Sequence, residues 1–273
     1  MRITIFDVAH GSCAYVVADN GNTMLIDCAD SSETGFSPAQ YLVASACSDI
    51  HRFFPLNYDE DHLRGLPELR RLAYRIPIHI LHRNPSIEPA QLRALKRQTS
   101  PLGPGITALL EMLETYTGTV ISEPQYPSLD YRVFWNNYPD FTDTNNLSQV
   151  LFLHFDGTSI VFPGDMEKTG WRKLLENPAF RMELAKVKIF VASHHGRESG
   201  YCPEVFDICT PEIVIISDEA IQYETQEHAY GDHAKGIRWN GTDIRRVLTT
   251  RKDGTLVITK EVGQPGSFIQ ASK

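Results

Sequence analysis

No stretch of this sequence is long and apolar enough to resemble a membrane span, and no charged segment followed by an apolar one opens the chain. Residues 2–8, Arg-Ile-Thr-Ile-Phe-Asp-Val, are typical of a β-strand instead. Membrane helices and secretory signals both require apolar runs that are not seen here. We therefore expect a cytoplasmic protein without a membrane partner.

Positive charge is also scarce. The 273 residues contain 26 Lys and Arg against 34 Asp and Glu, which gives a formal net charge of −8. A protein that wraps nucleic acid over a broad face is usually basic. The composition therefore disfavours extensive electrostatic binding to the phosphate backbone of a nucleic acid. A bound metal ion would add local positive charge, so an anionic substrate stays possible.

Cysteine is sparse and has no pattern that indicates cross-linking. Five cysteines, an odd number without a CxxC pair, stand at positions 13, 28, 47, 202 and 209. This usage is typical of reduced thiols in the cytosol. The sequence also lacks a repeat of fixed period and a low-complexity segment, which excludes a solenoid.

The remaining sequence predicts alternating strands and helices. Apolar residues make up 42% and charged residues 22%, so the chain can bury a large core. Three strands are expected within residues 1–28, a helix at 38–47, and a hairpin at 150–162. Further predictions are a strand at 76–81, helices at 106–116 and 167–175, and strands at 187–192, 213–217, 246–250 and 256–260. We interpret the less regular residues 76–140 as an insertion in a single domain of residues 1–273 that shapes a substrate cleft.

Three polar motifs each follow a predicted strand. They are Asn57-Tyr-Asp59-Glu-Asp61-His62, Pro163-Gly-Asp165 and Ser193-His194-His195-Gly196. Leucines at helical spacing follow the first motif and place His62 near the start of a helix. If the strands end at one edge of a sheet, carboxylates and imidazoles meet there. Such groups are the ligands of zinc or manganese.

A metal ion held in this way supports hydrolysis. Water on a metal ion loses a proton near neutral pH and provides a hydroxide nucleophile without a covalent enzyme intermediate. Each motif alone has a simpler explanation, since Asp-x-Asp-His can cap a helix, Pro-Gly-Asp can form a turn, and a histidine can be satisfied in a core. The three motifs in order, each ending a strand, favour metal-assisted hydrolysis.

The motifs resemble those of metallo-β-lactamase-fold hydrolases, in particular the subgroup that contains the hydrolase domain of the competence channel protein ComEC. Residues 57–62 fall on the His-x-His-x-Asp-His motif of the family, and Asp59 agrees with the subgroup. Other segments resemble the subgroup's remaining signatures: Phe6 to Ala14, Leu25-Ile-Asp27, Asn145-Asn-Leu-Ser148, Gly164-Asp165, His194-His195-Gly196 and Thr249 to Thr255. The resemblance covers nearly the whole chain except about 76–140.

The resemblance implies an α/β fold, a four-layer αβ/βα metallo-β-lactamase sandwich, with one or two divalent metal ions, Zn or Mn, at one edge of its two sheets. One metal site would consist of Asp61, His62, Asp165 and either His194 or His195. The other would share Asp165 and add Asp59, Asn57 and Asn145, where the family usually has His in place of each Asn. Since an amide oxygen is a poorer zinc ligand than imidazole, this other site favours manganese or magnesium, or stays empty.

Roles for individual residues follow from the resemblance as well. Asp61, His195 and His10 are the expected catalytic residues, with His10 orienting substrate or a ligand carboxylate. A hydrogen bond that merely stabilises its turn is the alternative for His10. Asp27 is expected to orient a metal ligand and not to bind the metal itself.

Three functions stay open. The main hypothesis is a metal-dependent phosphodiesterase or nuclease whose anionic substrate is a nucleotide or a short or single-stranded nucleic acid, because oxygen-rich metal sites suit phosphate. A small-ester or lactone hydrolase is disfavoured by Asn57, since such enzymes usually keep the full histidine set. A degenerate subunit that acts as a sensor or assembly module with protein partners is favoured by Asn57 and Asn145.

Overall fold

The computed structural model describes residues 1–99, 101–219, 225–239, 241, 243–259 and 268–272. The strands are β1 (Arg2–Ile5), β2 (Ala14–Val17), β3 (Thr23–Ile26), β4 (Ile50–Phe54), β5 (Ile78–Leu81), β6 (Leu129–Trp135), β7 (Gln149–Phe155), β8 (Thr158–Phe162), β9 (Ile189–Val191), β10 (Ile213–Ile216), β11 (Ile237–Trp239), β12 (Asp243–Arg245), β13 (Val247–Thr249), β14 (Leu256–Thr259) and β15 (Phe268–Ala271).

The helices alternate with these strands. They are α1 (Pro38–Ala44), α2 (Glu60–Leu63), α3 (Leu66–Arg71), α4 (Pro89–Thr99), α5 (Pro104–Thr115), α6 (Lys168–Leu175), α7 (Pro178–Leu184), α8 (Pro203–Phe206), α9 (Glu227–His233) and α10 (Thr250–Asp253). A 3-10 turn spans Ser193–Gly196. In the described ranges, every helix is too short or too polar to cross a bilayer.

The strands form two large sheets and a two-stranded ribbon, β11–β12. The first sheet has the order β15-β14-β1-β2-β3-β4-β5, and the second has the order β13-β10-β9-β8-β7-β6. Both are mixed: β3, β4 and β5 run parallel, as do β8, β9, β10 and β13, while the other pairings are antiparallel. Parallel strands need crossover connections, which the helices supply.

Three apolar clusters show how the layers stack. The central cluster joins residues of both sheets, such as Met24 and Ile160, so the sheets pack face to face. On the outer face of the first sheet, Phe53 packs with residues of α1, α3 and α5. On the outer face of the second, Phe190 packs with Trp171 of α6 and with residues of α7, α8 and α9. The order helices, sheet, sheet, helices confirms the predicted four-layer αβ/βα sandwich.

Most predicted elements are present with small shifts at their ends. Ser37 caps α1 by accepting the Gln40 N–H at 3.3 Å, and the hairpin β7–β8 turns at Asp156-Gly157. The leucines after the first motif lie on or directly after two short helices, α2 and α3. Gly65 between the helices is packed so closely that a Cβ would come within 2.7 Å of the Cys28 carbonyl oxygen. Residue 260 of the predicted strand 256–260 lies outside the described residues.

The segment predicted as an insertion, residues 76–140, begins and ends with sheet strands. β5 pairs with β4 at one edge of the first sheet, and β6 pairs with β7 at one edge of the second. Between them lie α4 and α5, of which only α5 was expected from the sequence. Leu109 and other apolar residues of α5 pack into the cluster of the first sheet, so this helix is part of the outer layer. Helix α4 brings Lys96 to the site described next.

Candidate metal centre

The predicted motifs meet where strands of both sheets end. The first motif follows β4, Asp165 follows β8, and the histidine pair follows β9. β4 is parallel to β3, and β8 is parallel to β9, so their carboxyl ends lie at a common edge of each sheet. This edge holds the polar groups because the rest of each strand is buried among apolar side chains.

Four side chains converge at this edge and are called the metal-ligand cluster: Asp61, His62, Asp165 and His195. One nitrogen or oxygen atom from each lies within 4.8 Å of the other three. His62 Nε2 is 2.9 Å from Asp165 Oδ1, and His195 Nε2 is 3.3 Å from Asp61 Oδ2 and 3.6 Å from Asp165 Oδ1. Four ligands about 2.1 Å from a tetrahedral ion would be roughly 3.4 Å apart. The spacing therefore suits a single divalent ion.

His62 is held in place by a carboxylate behind it. Its Nδ1 is 2.8 Å from Asp27 Oδ2, while Asp27 Oδ1 accepts the Leu56 N–H at 2.7 Å. Burial alone would lower the pKa of His62, but the charges of Asp165 and Asp27 raise it well above its ordinary value. A carboxylate that binds the rear nitrogen orients the ring and strengthens the other nitrogen as a metal ligand. Asp27 thus lies where the sequence placed an orienting residue.

His195 lies on an unusual turn. His194 and His195 have φ values of 49° and 55°, and Gly196 follows with 78°. Left-handed backbone is costly for residues other than glycine and is concentrated at functional sites. The turn lets His195 Nδ1 donate to the Ser217 carbonyl at 3.0 Å. Nε2 is then the nitrogen turned toward Asp61 and Asp165.

Residues of the turn after β1 contact Asp61. His10 Nε2 is 2.9 Å from Asp61 Oδ2, and the Ser12 N–H donates to the Asp61 carbonyl at 3.0 Å. Gly11 has φ 148°, and a side chain there would collide with that carbonyl. Burial raises the pKa of Asp61, but the hydrogen bond from His10 and the neighbouring His195 and His62 imidazoles outweigh burial and hold the pKa well below its usual value. Asp61 is ionised at neutral pH.

The chemistry of the donor set fits a cation. Burial raises the pKa of Asp165, yet His62 and His195 lower it to about 2, so two ionised carboxylates face one another across the cluster. His195 Nε2 is buried and has no hydrogen-bond partner among the described residues. A cavity of ≈ 20 Å³ borders His62, Asp165 and His195. That is enough for one water-sized species, which needs about 10–15 Å³.

Apart from the shared Asp165, the residues predicted for the other metal position form a separate group together with Ser148. This group is called the amide cluster: Asn57, Asp59, Asn145 and Ser148. The Asn57 side-chain nitrogen donates to Asn145 Oδ1 at 3.2 Å and to Ser148 Oγ at 3.0 Å, and its oxygen accepts the Asp59 N–H at 2.8 Å. The Asp59 carboxylate is paired with the Lys96 ammonium and accepts from Thr144 Oγ1 at 3.3 Å. Through these contacts, the polar groups of the amide cluster bond one another and neighbouring side chains.

His194 lies beside the metal-ligand cluster. Its Nε2 is 3.9 Å from Asp165 Oδ2, and its Nδ1 is 2.8 Å from Ser199 Oγ and 3.4 Å from Glu167 Oε1. Burial lowers the pKa of His194, but Glu167 and Asp165 raise it overall. Of the two histidines that the sequence left open, His195 is the one whose nitrogen joins the four-atom convergence.

Two cations at the site were not predicted from the sequence. Arg197 places Nη2 3.0 Å from His10 Nε2 and Nη1 3.3 Å from His194 Nε2. Its position immediately after the histidine motif is the signal that could have indicated it. Lys96 had no comparable signal, because α4 was not predicted and no motif surrounds the residue.

The two stacked sheets and the polar cluster at their shared edge define a metallo-β-lactamase fold. No family model matches the chain. It is similar to ComE operon protein 3 of Bacillus subtilis (strain 168), with 24% identity over 217 residues, which are 79% of this chain. The chain spans about a quarter, 25%, of the length of that curated relative.

The chain is also similar to several solved structures. A metallo hydrolase from the archaeon Ignicoccus hospitalis is 12% identical, with a TM-score of 0.48 over 96% of this chain and 100% of its own. A diphosphatase from the PhnP family is 10% identical, with a TM-score of 0.48 over 99% of both chains. Human tRNase Z, short form, is 10% identical, with a TM-score of 0.41 over 83% of this chain and 98% of its own. The fold assignment rests on the strand order above.

Proposed function

We propose that this protein is a metal-dependent hydrolase that cleaves a phosphodiester. The convergence of Asp61, His62, Asp165 and His195 within 4.8 Å carries the proposal. Two imidazoles and two carboxylates are a mixed donor set that suits zinc or manganese. A divalent ion in this set would lower the pKa of a water molecule enough for it to attack an ester at neutral pH.

The protein's own residues then have distinct tasks. Asp27 fixes the ring of His62, and the Ser217 carbonyl fixes the ring of His195, so both Nε2 atoms point into the cluster. Asp61 is ionised and can accept a proton from a nucleophilic water that lies beside it. His10, 2.9 Å from Asp61, can stabilise that carboxylate or receive the proton in turn.

The position of Arg197 at the site favours an anionic substrate. A guanidinium is permanently charged and presents five donors whose geometry matches two oxygens of a phosphate. One atom, His10 Nε2, lies within 3.0 Å of Arg197 Nη2 and 2.9 Å of Asp61 Oδ2, and it can serve only one of them at a time. A phosphate oxygen can replace His10 as the partner of Arg197, which couples substrate binding to the state of Asp61.

A small-molecule assay tests this function. The purified protein, stripped with chelator and reloaded with Mn²⁺ or Zn²⁺, is expected to hydrolyse bis(p-nitrophenyl) phosphate and to lose that activity when the ion is removed again. p-Nitrophenyl acetate and a simple lactone serve as comparison substrates. Turnover of the acetate or lactone without turnover of the phosphodiester would favour the small-ester hydrolase instead.

A second candidate is a non-hydrolytic sensor or assembly subunit. One observation favours it: the oxygens of Asn57 and Asn145 already accept hydrogen bonds from within the chain. A metal-loaded protein that turns over none of the three substrates, yet keeps its fold and its ion, would point to this candidate.

A further inference from the structure

We propose that Lys96 is a built-in cation that takes the place of a second divalent ion, so that the centre holds one ion per chain. This inference rests on the proposed function of the metal-ligand cluster. It concerns the neighbouring amide cluster, whose Asp59 carboxylate is paired with the Lys96 ammonium.

Lys96 is largely shielded from solvent where it pairs with Asp59. Only 13% of the Lys96 side chain is exposed, against 34% for Asp59. A lysine usually keeps its ammonium in water, and a buried one is stabilised by an opposite charge. Helix α4 thus delivers a shielded positive charge to the one carboxylate of the amide cluster.

The amide groups of the amide cluster already make hydrogen bonds within the chain. Asn57 is fully buried, and its oxygen accepts the Asp59 N–H while its nitrogen donates to Asn145 and Ser148. An ion at this position would have to displace the ammonium from Asp59 and also break hydrogen bonds of the buried Asn57 amide and the half-buried Asn145 amide. Loss of such bonds is unfavourable because the amides would be left unsatisfied.

Hydrogen bonds and side-chain contacts link the amide cluster to the metal-ligand cluster. Ser148 Oγ accepts from the Asn57 side chain and also from the Asp165 N–H at 3.2 Å. Asn145 donates to Glu167 at 3.2 Å, and Glu167 contacts His194 beside Asp165. A second ion next to Asp59 would disturb the scaffold that holds Asp165. A fixed ammonium supplies positive charge there without this disturbance.

Metal counting tests the proposal. Wild type, Lys96→Arg and Lys96→Met are equilibrated with buffered Mn²⁺, and ions per chain are counted by elemental analysis. We expect one ion in wild type and Lys96→Arg. In Lys96→Met, which keeps most of the buried stem, we expect a second ion to bind at least tenfold more tightly than any second ion does in wild type. Spin coupling between two neighbouring Mn²⁺ ions provides a readout independent of activity.

The matched control is Arg93→Met, which removes a charge from the same helix, α4, where Arg93 pairs with Glu114 at 2.7 Å. It is expected to bind one ion. Two tightly bound ions in wild type would overturn the inference and leave the hydrolase proposal standing. An unchanged single ion in Lys96→Met, with intact circular dichroism, would also overturn it. No bound ion in wild type would overturn both proposals.

Discussion

The metal-ligand cluster and the amide cluster lie next to one another, and both take residues from the loop after β4, but their donor atoms are used differently. In the metal-ligand cluster, His195 Nε2 has no hydrogen-bond partner among the described residues, and Asp61 and Asp165 are both ionised. In the amide cluster, the side chains of Asn57 and Asn145 bond each other and their neighbours. Under the single-ion proposal, a polar residue at a family ligand position is not sufficient for a metal site. The lone pairs must also be available.

The largest expected effect comes from removing a ligand carboxylate. Asp165→Asn leaves the shape nearly unchanged but removes the charge between His62 and His195. We expect more than 100-fold loss of metal affinity and of phosphodiester turnover, since even residues behind the ligands are worth about 10–100-fold. Asp156→Asn in the exposed β7–β8 turn is the isosteric control. Equal loss in both variants would argue against a metal role for Asp165.

Removing the carboxylate behind His62 is expected to have the next largest effect. Asp27→Asn should weaken Mn²⁺ or Zn²⁺ binding by about 10–100-fold, measured by competition with a chelating dye. Asp30→Asn, whose carboxylate pairs with Arg64 at 3.2 Å, is the control and should bind metal normally. Wild-type affinity in Asp27→Asn would show that the hydrogen bond to His62 is not needed to orient it.

Arg197→Met tests whether the site recognises an anion. Loss of one charge-assisted contact, worth about 1.5–3 kcal/mol, predicts a KM for bis(p-nitrophenyl) phosphate raised about tenfold or more. Metal content should stay at the wild-type level. Arg197→Lys should recover only part of the loss, because a lysine lacks the planar fork. A fall in kcat alone, with KM unchanged, would contradict a binding role.

Ser148→Ala tests the amide cluster. The side chain of Asn57 and the Asp165 N–H both donate to Ser148 Oγ, so the substitution removes the acceptor of two buried donors. We expect the free energy of unfolding to fall by about 1–3 kcal/mol, measured by denaturant titration. Metal affinity should fall less than in Asp27→Asn. If metal affinity fell more in Ser148→Ala than in Asp27→Asn, the two clusters would not differ as described.

Asp218 provides a buried carboxylate outside both clusters, and its pH dependence should be the smallest effect. Burial raises its pKa to about 6 from an ordinary 3.8, although Arg251 lowers it. Because the folded pKa is raised, the charge of Asp218 reduces stability progressively between about pH 4 and 6 and fully above. Asp218→Asn should therefore raise stability at pH 7 by about 1–2 kcal/mol after allowance for solvent screening, and by little at pH 4. Thermal melts at both pH values measure the difference.

Much of this architecture follows from local sequence. Asp61, His62 and Asp165 could be placed together because each follows a buried apolar strand, and parallel strands end at one edge. The choice between His194 and His195 could not be made, since it depends on a left-handed turn held by Ser217, which follows β10 and is distant in sequence. The pairing of Asp59 with Lys96 was equally hidden, because it depends on how α4 packs across the loop.

The left-handed turn at residues 194–196 also bears on how quickly the centre can take up an ion. A loop that had to rearrange around an arriving cation would lose conformational entropy at that moment and would slow capture. Here the contacts of the folded chain already hold the backbone in its unfavourable region, with Gly196 against Ile216 and His195 bonded to Ser217. Contacts of the protein itself therefore fix the imidazole, and loading of an ion is expected to be a simple encounter without a slow conformational phase.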